Sequence, residues 1–281
     1  MTIATLSDVL LPAMRDGYAV AGLVVLGWED ALGFAKAAEE TRTPIILQAG
    51  PGCRAYTPLS ILGPMFRHIA EQASVPVVCH VDHAYSIDEC QAGIDHGFTS
   101  VMFDGSKLPI EENIERTAKI VELAKPAGVS VEGEVGFVGY ANGAQSRGTS
   151  ADEAAIFDTQ SGADAMAISI GNVHLQTHAS SGGLDWDALR AVEAVTRLPL
   201  VLHGGSGIPT EERQILVRHS RISKINIGTE LRLAAGNALR RSLDDQPEAF
   251  DRIALLEPTI ESIAAAAAKA IRSIGPPASS A

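Results

Sequence analysis

The sequence predicts an α/β fold, a TIM (β/α)8 barrel with extra C-terminal helices. Three observations predict it. Eight short β-branched runs alternate with longer stretches of helical period. The runs are near-continuously apolar, as strands of a parallel sheet covered by helices are. The length of 281 residues suits a closed eight-fold barrel, which needs roughly 250. An open doubly wound sheet is the alternative, but no Gly-x-Gly-x-x-Gly follows the first run.

The elements follow in chain order. The strand runs are VAGLVVLG (20–27), PIILQAG (44–50), VPVVCHVDHA (75–84), TSVMFDG (99–105), VSVEGEVG (129–136), DAMAISIG (164–171), LPLVLHGG (198–205) and ISKINIG (222–228). Between them lie the helical segment 29–41 and amphipathic stretches such as LSILGPMFRHIAEQA, SIDECQAGIDHG, IEENIERTAKIVELAKPAG and DWDALRAVEAVTR. Several open on Ser, Thr or Asp, the residues that cap a helix start. No Gly-, Pro- or Ser-rich linker divides the chain, so one barrel spanning 1–281 is expected. Its tail is a helical extension from about 247 to 274, packed outside the barrel or against a neighbouring subunit.

Composition narrows the function. Against 34 acidic side chains stand 22 basic ones, a net charge of −12, which argues against nucleic-acid or anionic membrane partners. Cys53, Cys79 and Cys90 form no CxxC pair, so neither a disulfide framework nor a thiolate zinc site is expected. The N-terminus lacks the pattern of a signal peptide, and no run of about 18 apolar residues could span a bilayer. A reducing cytoplasm is the expected compartment.

The unusual residues collect at the carboxyl ends of the strands, which form the functional face of a parallel barrel. Asp82 and His83 end the third strand, Asp104 ends the fourth, and Glu132 and Glu134 lie in the fifth. His174 follows the sixth, His203 ends the seventh, and Asn226 is in the eighth. Any one histidine alone is as well explained as a hydrogen-bonded core residue. Three at matching strand ends can converge on one ion and leave a position open, the form of a catalytic zinc site. His83, His174 and His203 are that trio.

His80 shares a strand face with Asp82 and reads as a supporting residue. His68, His96 and His219 fall in helical segments, whereas His178 lies in the loop after the sixth strand, within reach of the site. Glu134 is nearer the mouth than Glu132 and is the better ligand candidate. Either carboxylate could instead belong to a salt-bridged layer, or fix the tautomer of a ligand histidine. HGGSGIP (203–209) and NIGTEL (226–231) follow the seventh and eighth strands. Glycine-lined amides and helix starts in those loops are suited to a phosphate.

The blocks VCHVDHAYSIDECQAGIDHGFTSVMFDGSKLP, VSVEGEVG, AISIGNVH, LVLHGGSGIP and KINIGTEL, in unbroken order from about Gly17 to residue 231, resemble the class II, metal-dependent ketose-bisphosphate aldolases. The resemblance implies reversible cleavage of a phosphorylated ketose to dihydroxyacetone phosphate and an aldehyde. It implies zinc or another divalent cation on His83, His174 and His203, with Asp104 and Glu134 near the metal. Asp82 would exchange the proton of the C4 hydroxyl. Gly204, Ser206, Asn226 and Thr229 would hold the dihydroxyacetone phosphate portion, with a monovalent cation nearby. A homodimer or homotetramer is expected from the extra helices.

Four departures bear on the substrate. The family's Phe-Asn pair near the end of the first strand is here Leu23 and Val24, and a Ser or Thr near the end of the second is Gly50. The glycine after the second ligand histidine is Leu175, which could crowd the phosphate. The family's loop glutamate, eight residues past Glu134, is Asn142, which cannot act as a general base; Glu132 or a metal-bound water is left for that task. A ketose or ketose-phosphate epimerase, an aldolase of an unphosphorylated or otherwise substituted ketose, and a retired sugar-phosphate binder are the alternatives.

Overall fold

A computed structural model describes residues 2–141, 143–175 and 183–276. Eight strands, β1 Val20–Val24, β2 Ile45–Ala49, β3 Val77–Ala84, β4 Ser100–Phe103, β5 Ser130–Val135, β6 Ala165–Ile168, β7 Leu200–Leu202 and β8 Ile222–Ile227, pair in parallel, each with the next. β8 pairs back onto β1 through Ala21 opposite Ile225 and Leu23 opposite Ile227, which closes the barrel. All eight expected strands are present. Four of them, β1, β4, β6 and β7, stop two or three residues earlier than their apolar runs, because the chain leaves the ladder while still buried. Asp104 and His203 therefore lie just past β4 and β7, in the loops of the mouth.

Phe34, Phe66, Phe98, Phe103 and Phe157 fill the layer between sheet and helices. The predicted caps are present: Ser86 Oγ accepts from Glu89 N, and the Asp185 carboxylate accepts from Ala188 N.

The N-terminal segment, for which the sequence predicts no element, forms a short strand Ile3–Ala4 beside β3 and a helix Leu6–Asp16. Thr5 and Asp8 close a capping box, and Gly17 ends the helix at φ 71°. Leu6, Val9, Leu10 and Ala13 pack onto Val20, Ile46, Val78, Met102, Ala165 and Val201, all buried. This helix plugs the floor of the barrel, opposite the mouth. Each leucine buried there contributes about 1.5–3 kcal/mol.

At the other terminus the helix Thr259–Ile274 packs outside the barrel on the helix Trp28–Thr41. A Cβ at Gly33 would lie 2.7 Å from Ile263 Cγ2, so glycine permits that close crossing. Among the described residues no helix is long and apolar enough to cross a membrane.

Candidate active site

Strict alternation would turn Asp82 and His83 to opposite faces of β3. A bulge prevents it. β3 pairs with β4 at Val81 opposite Val101 and next at Ala84 opposite Phe103, so one extra residue is accommodated between them. His83 takes up the change at φ 54°, a left-handed conformation unusual for histidine. Such a residue costs roughly 1–3 kcal/mol and persists only where its surroundings hold it. Arg54, from the short helix after β2, does so. Its guanidinium donates to Ala49 O at 2.6 Å, Asp82 O at 2.5 Å and His83 O at 2.9 Å. Asp82 and His83 consequently line one cavity of about 280 Å³.

His174 lines the same cavity, and His203, fully buried beneath it, meets both His83 and His174. Ring centroids are 4.6 Å apart for His83 and His203, 5.3 Å for His83 and His174, and 5.5 Å for His174 and His203. One nitrogen from each lies within 4.8 Å of the other two. His174 is placed by an isolated bridge to Tyr140, whose ring stacks on its own at 5.1 Å. Asp104 hydrogen-bonds His83 Nδ1 at 2.9 Å, and Glu134 Oε2 lies 3.7 Å from His83 Nδ1 and 3.8 Å from His203 Nδ1. His83, Asp104 and Glu134 make a second cluster of ligand atoms within 4.8 Å.

The donor set fits a divalent cation. His203 Nδ1 and Glu134 Oε2 are buried without a hydrogen-bond partner among the described residues, and both face the trio. Buried polar atoms are rarely left so. Electrostatics point the same way. Burial opposes a charge on His83, but Asp82, the hydrogen bond to Asp104 and Glu134 outweigh it and raise its pKa to about 9. Burial and the charge of His83 lower His174 to about 4 and hold His203 well below its ordinary value. Burial, reinforced by Asp104, pushes Glu134 up to about 8. A cation at this point would relieve the crowding of carboxylates and displace the proton from His83.

Asp82 is held beside the trio by two amides. Gln48 Nε2 and Asn226 Nδ2 both donate to Asp82 Oδ1, at 2.9 and 3.2 Å. Oδ2 faces Gly50, where an added Cβ would lie 3.8 Å away. Gly22 makes room for the two amides, since a Cβ there would sit 2.2 Å from Gln48 Oε1 and 2.7 Å from Asn226 Oδ1. Burial raises the Asp82 pKa, but His83, His203 and Lys224 lower it further, so the group is an ionised carboxylate.

The loops after β7 and β8 form the opposite wall. Gly204 has φ 70°, and a Cβ there would lie 2.3 Å from Val173 O, so no other residue fits. Ser206 Oγ accepts from the amides of Gly228 and Glu230 at 3.3 Å each, which leaves its own hydrogen free to donate. Gly204, Ser206, Asn226 and Thr229 all line the cavity, the last at the start of the helix Thr229–Asp245. Leu175 sits at φ 58° and is half exposed in the same wall.

The sequence model of the family described as fructose-bisphosphate aldolase class-II matches residues 4–277. The chain belongs to the class II fructose-bisphosphate aldolase family. It is 34% identical over 283 residues to the 6-phospho-5-dehydro-2-deoxy-D-gluconate aldolase of Shouchella clausii, covering 98% of this chain and 95% of that one. With the fructose-bisphosphate aldolase of Geobacillus stearothermophilus it shares 34% identity over 282 residues, 98% of each chain. The crystal structure of the YdjI aldolase from Escherichia coli K12 superposes with a TM-score of 0.86 at 31% identity, over 99% of this chain and 100% of that one.

For a class II aldolase, a lyase whose chemistry uses a divalent metal, several groups here were not singled out from sequence. Arg54, Gln48, Tyr85, Tyr140, Arg232 and Lys224 all touch or support the cavity. A lysine inside the apolar run ISKINIG was the one local signal. Glu132, offered above as a replacement base, does not line the cavity: it is fully buried one layer below, paired with Lys224. His80 sits in that same layer, its Nδ1 2.8 Å from Ser100 Oγ. Asn142 and His178 lie outside the described residues.

Proposed function

We propose that this aldolase reversibly cleaves a phosphorylated ketose between C3 and C4, giving dihydroxyacetone phosphate and an aldehyde, with zinc held by His83, His174 and His203. The observation that carries the reading is the convergence of three imidazole nitrogens beside an ionised carboxylate at the mouth of the barrel. When bound, the ion supplies a Lewis acid for the negative charge left on the ketone half. Asp104 and Glu134 stand next to it, Asp104 orienting His83 and Glu134 completing the pocket of ligands.

Asp82 is the acid-base residue. In cleavage its free Oδ2 takes the proton of the C4 hydroxyl. The C4 oxygen then forms the carbonyl of the departing aldehyde, and the C3–C4 bonding pair stays with the ketone half, which becomes dihydroxyacetone phosphate on taking up a proton from water at C3, while Asp82 gives its own proton back to solvent. In condensation Asp82 returns the proton. The Gln48 and Asn226 amides prevent the carboxylate from turning away. Gly204, Ser206 and Thr229 bind the phosphate, with Ser206 donating its hydroxyl hydrogen and the helix after β8 adding its positive end.

The aldehyde half meets Val24, Leu26, Gly50, Cys53 and Tyr85. Two relatives of equal identity are named for different substrates, one a fructose bisphosphate and one a phosphogluconate derivative. The far end of the substrate is therefore chosen by that wall, where Gly50 leaves space beside Asp82. A homo-oligomer is also inferred, supported by the exposed Phe250 and Ile253 ahead of the last helix; light scattering of the purified chain tests it. The free state of Cys53, Cys79 and Cys90 supports a cytoplasmic placement.

The deciding experiment is a panel of ketose mono- and bisphosphates incubated with zinc-loaded protein, with released dihydroxyacetone phosphate read by coupled reduction. Release with at least one ketose, lost on chelation and restored by zinc, is expected. An isomeric ketose with no triose would replace this reading with epimerisation. Repeating the assay with and without potassium tests the monovalent cation that the resemblance implies.

A further inference from the structure

Beneath the cavity runs a chain of polar groups sealed from solvent: Ser100, His80, Lys224, Glu132 and His203, each with no exposed surface. Lys224 Nζ lies 2.6 Å from Glu132 Oε2 and 3.3 Å from His80 Nε2. Glu132 Oε1, the other oxygen of the same carboxylate, lies 3.3 Å from His203 Nε2. Each group sits within hydrogen-bonding distance of the next, so the direction of the bonds follows from which groups can only donate or only accept.

An ammonium can only donate. His80 Nε2 must then accept from Lys224, which puts the hydrogen of His80 on Nδ1, facing Ser100 Oγ at 2.8 Å. Glu132, ion-paired through Oε2, is acceptor-only, so His203 must carry its hydrogen on Nε2. Its Nδ1 is left with a bare lone pair, and that is the buried, unpartnered atom, 3.8 Å from Glu134 Oε2, on the ring that meets His83 and His174.

We propose that Lys224 is a positioning residue: acting through Glu132, it fixes which nitrogen of His203 carries the hydrogen and so which one is free to bind a metal ion. This rests on the reading of His203 as a ligand. It goes beyond that reading by assigning the polarity of the site to a buried lysine on β8 that touches neither metal nor substrate.

Two variants separate this from simple packing. In Glu132→Gln the shape is kept, but Lys224 claims the amide oxygen and the amide NH2 faces His203 Nε2. That nitrogen must now accept, and the hydrogen moves to Nδ1. In the double variant Glu132→Gln with Lys224→Met the amide is free to turn its oxygen toward His203, and the original tautomer returns. A merely structural role predicts the opposite order, the double variant being the worse.

The experiment uses the full chain stripped of metal. Nitrogen-15 NMR reads the tautomer of His203, its signal recognised by its loss in His203→Asn, and calorimetry titrates zinc into each protein. Circular dichroism of each metal-free protein checks that it is folded. Expected are an Nε2–H tautomer in the parent, an Nδ1–H tautomer in E132Q with zinc affinity lowered about 10–100-fold, and at least partial recovery of both in the double variant. An Nε2–H tautomer or undiminished affinity in E132Q overturns the proposal, as does a double variant no better than E132Q. A parent that takes up no zinc would defeat the ligand reading, while the tautomers would still judge the lysine.

Discussion

Asp82 divides its two oxygens between structure and chemistry. Oδ1 receives both amides, and Oδ2 faces open space beside Gly50, where the proposed reading puts the substrate. Asp82→Asn keeps the shape but removes the base, and it should lower the rate of ketose-phosphate cleavage by about 10²–10⁴-fold. Zinc affinity should change far less, because Asp82 is not among the three clustered histidines. Steady-state kinetics beside a zinc titration check both halves. Gly22→Ala tests the same carboxylate indirectly. The added methyl collides with Gln48 Oε1 and Asn226 Oδ1, the amides that hold Asp82 in place. A fall in turnover of about tenfold with zinc affinity retained is expected, since a misplaced catalytic group is costly even when binding survives. A fall in zinc affinity instead would show that Gly22 serves the metal cluster.

At the scale of elements, the bulge in β3 is what turns a strand into a site. Arg54 is almost fully buried and supplies donors to three carbonyls around it. Arg54→Met keeps the stem and removes those bonds. A destabilisation of about 3 kcal/mol is expected, since hydrogen bonds to charged groups contribute about 1.5–3 kcal/mol each and buried carbonyls are left unpaired. That corresponds to a melting temperature lower by roughly 5 °C. Lysine should not rescue it, because one ammonium cannot replace the planar fork that spans these carbonyls. Equal melting of Arg54→Met and the parent would show that the bulge holds itself.

The strands were legible in the sequence because β-branched runs with helical spacers have few other solutions. Their ends were not, since Asp104, His203 and Gly204 continue the pattern after the ladder has stopped. The floor helix was obscured by Pro12, which sits inside it. His83, His174 and His203 could be singled out as histidines at strand ends, but the bulge that aims His83 could not, because a left-handed residue is ordinarily announced by glycine. Lys224 was missed for a related reason: lysine in a strand reads as a solvated edge until the fold shows it inside.

For the molecule as a whole, the site imposes a pH dependence on stability whose sign can be worked out. In the metal-free chain His83 is raised from 6.5 to about 9 and Glu134 from 4.5 to about 8. Above pH 6.5 the folded state therefore holds protons that the unfolded state has released, and stability falls as pH rises through those two values. Below pH 6.5 the sign reverses. His80, His174 and His203 stay neutral when folded, His174 down to about 4, but take up protons when unfolded. These three outweigh Glu134, so stability also falls on acidification. Stripped protein should melt highest near pH 6.5 and lower on either side. Zinc should abolish the alkaline limb, because nitrogen and carboxylate ligands bind the ion only once deprotonated, and its stabilisation grows as their protons leave. Thermal melts from pH 5 to 8.5, with chelator and with excess zinc, measure both limbs. An alkaline decline that zinc leaves untouched would mean that His83 and Glu134 do not face a shared ion.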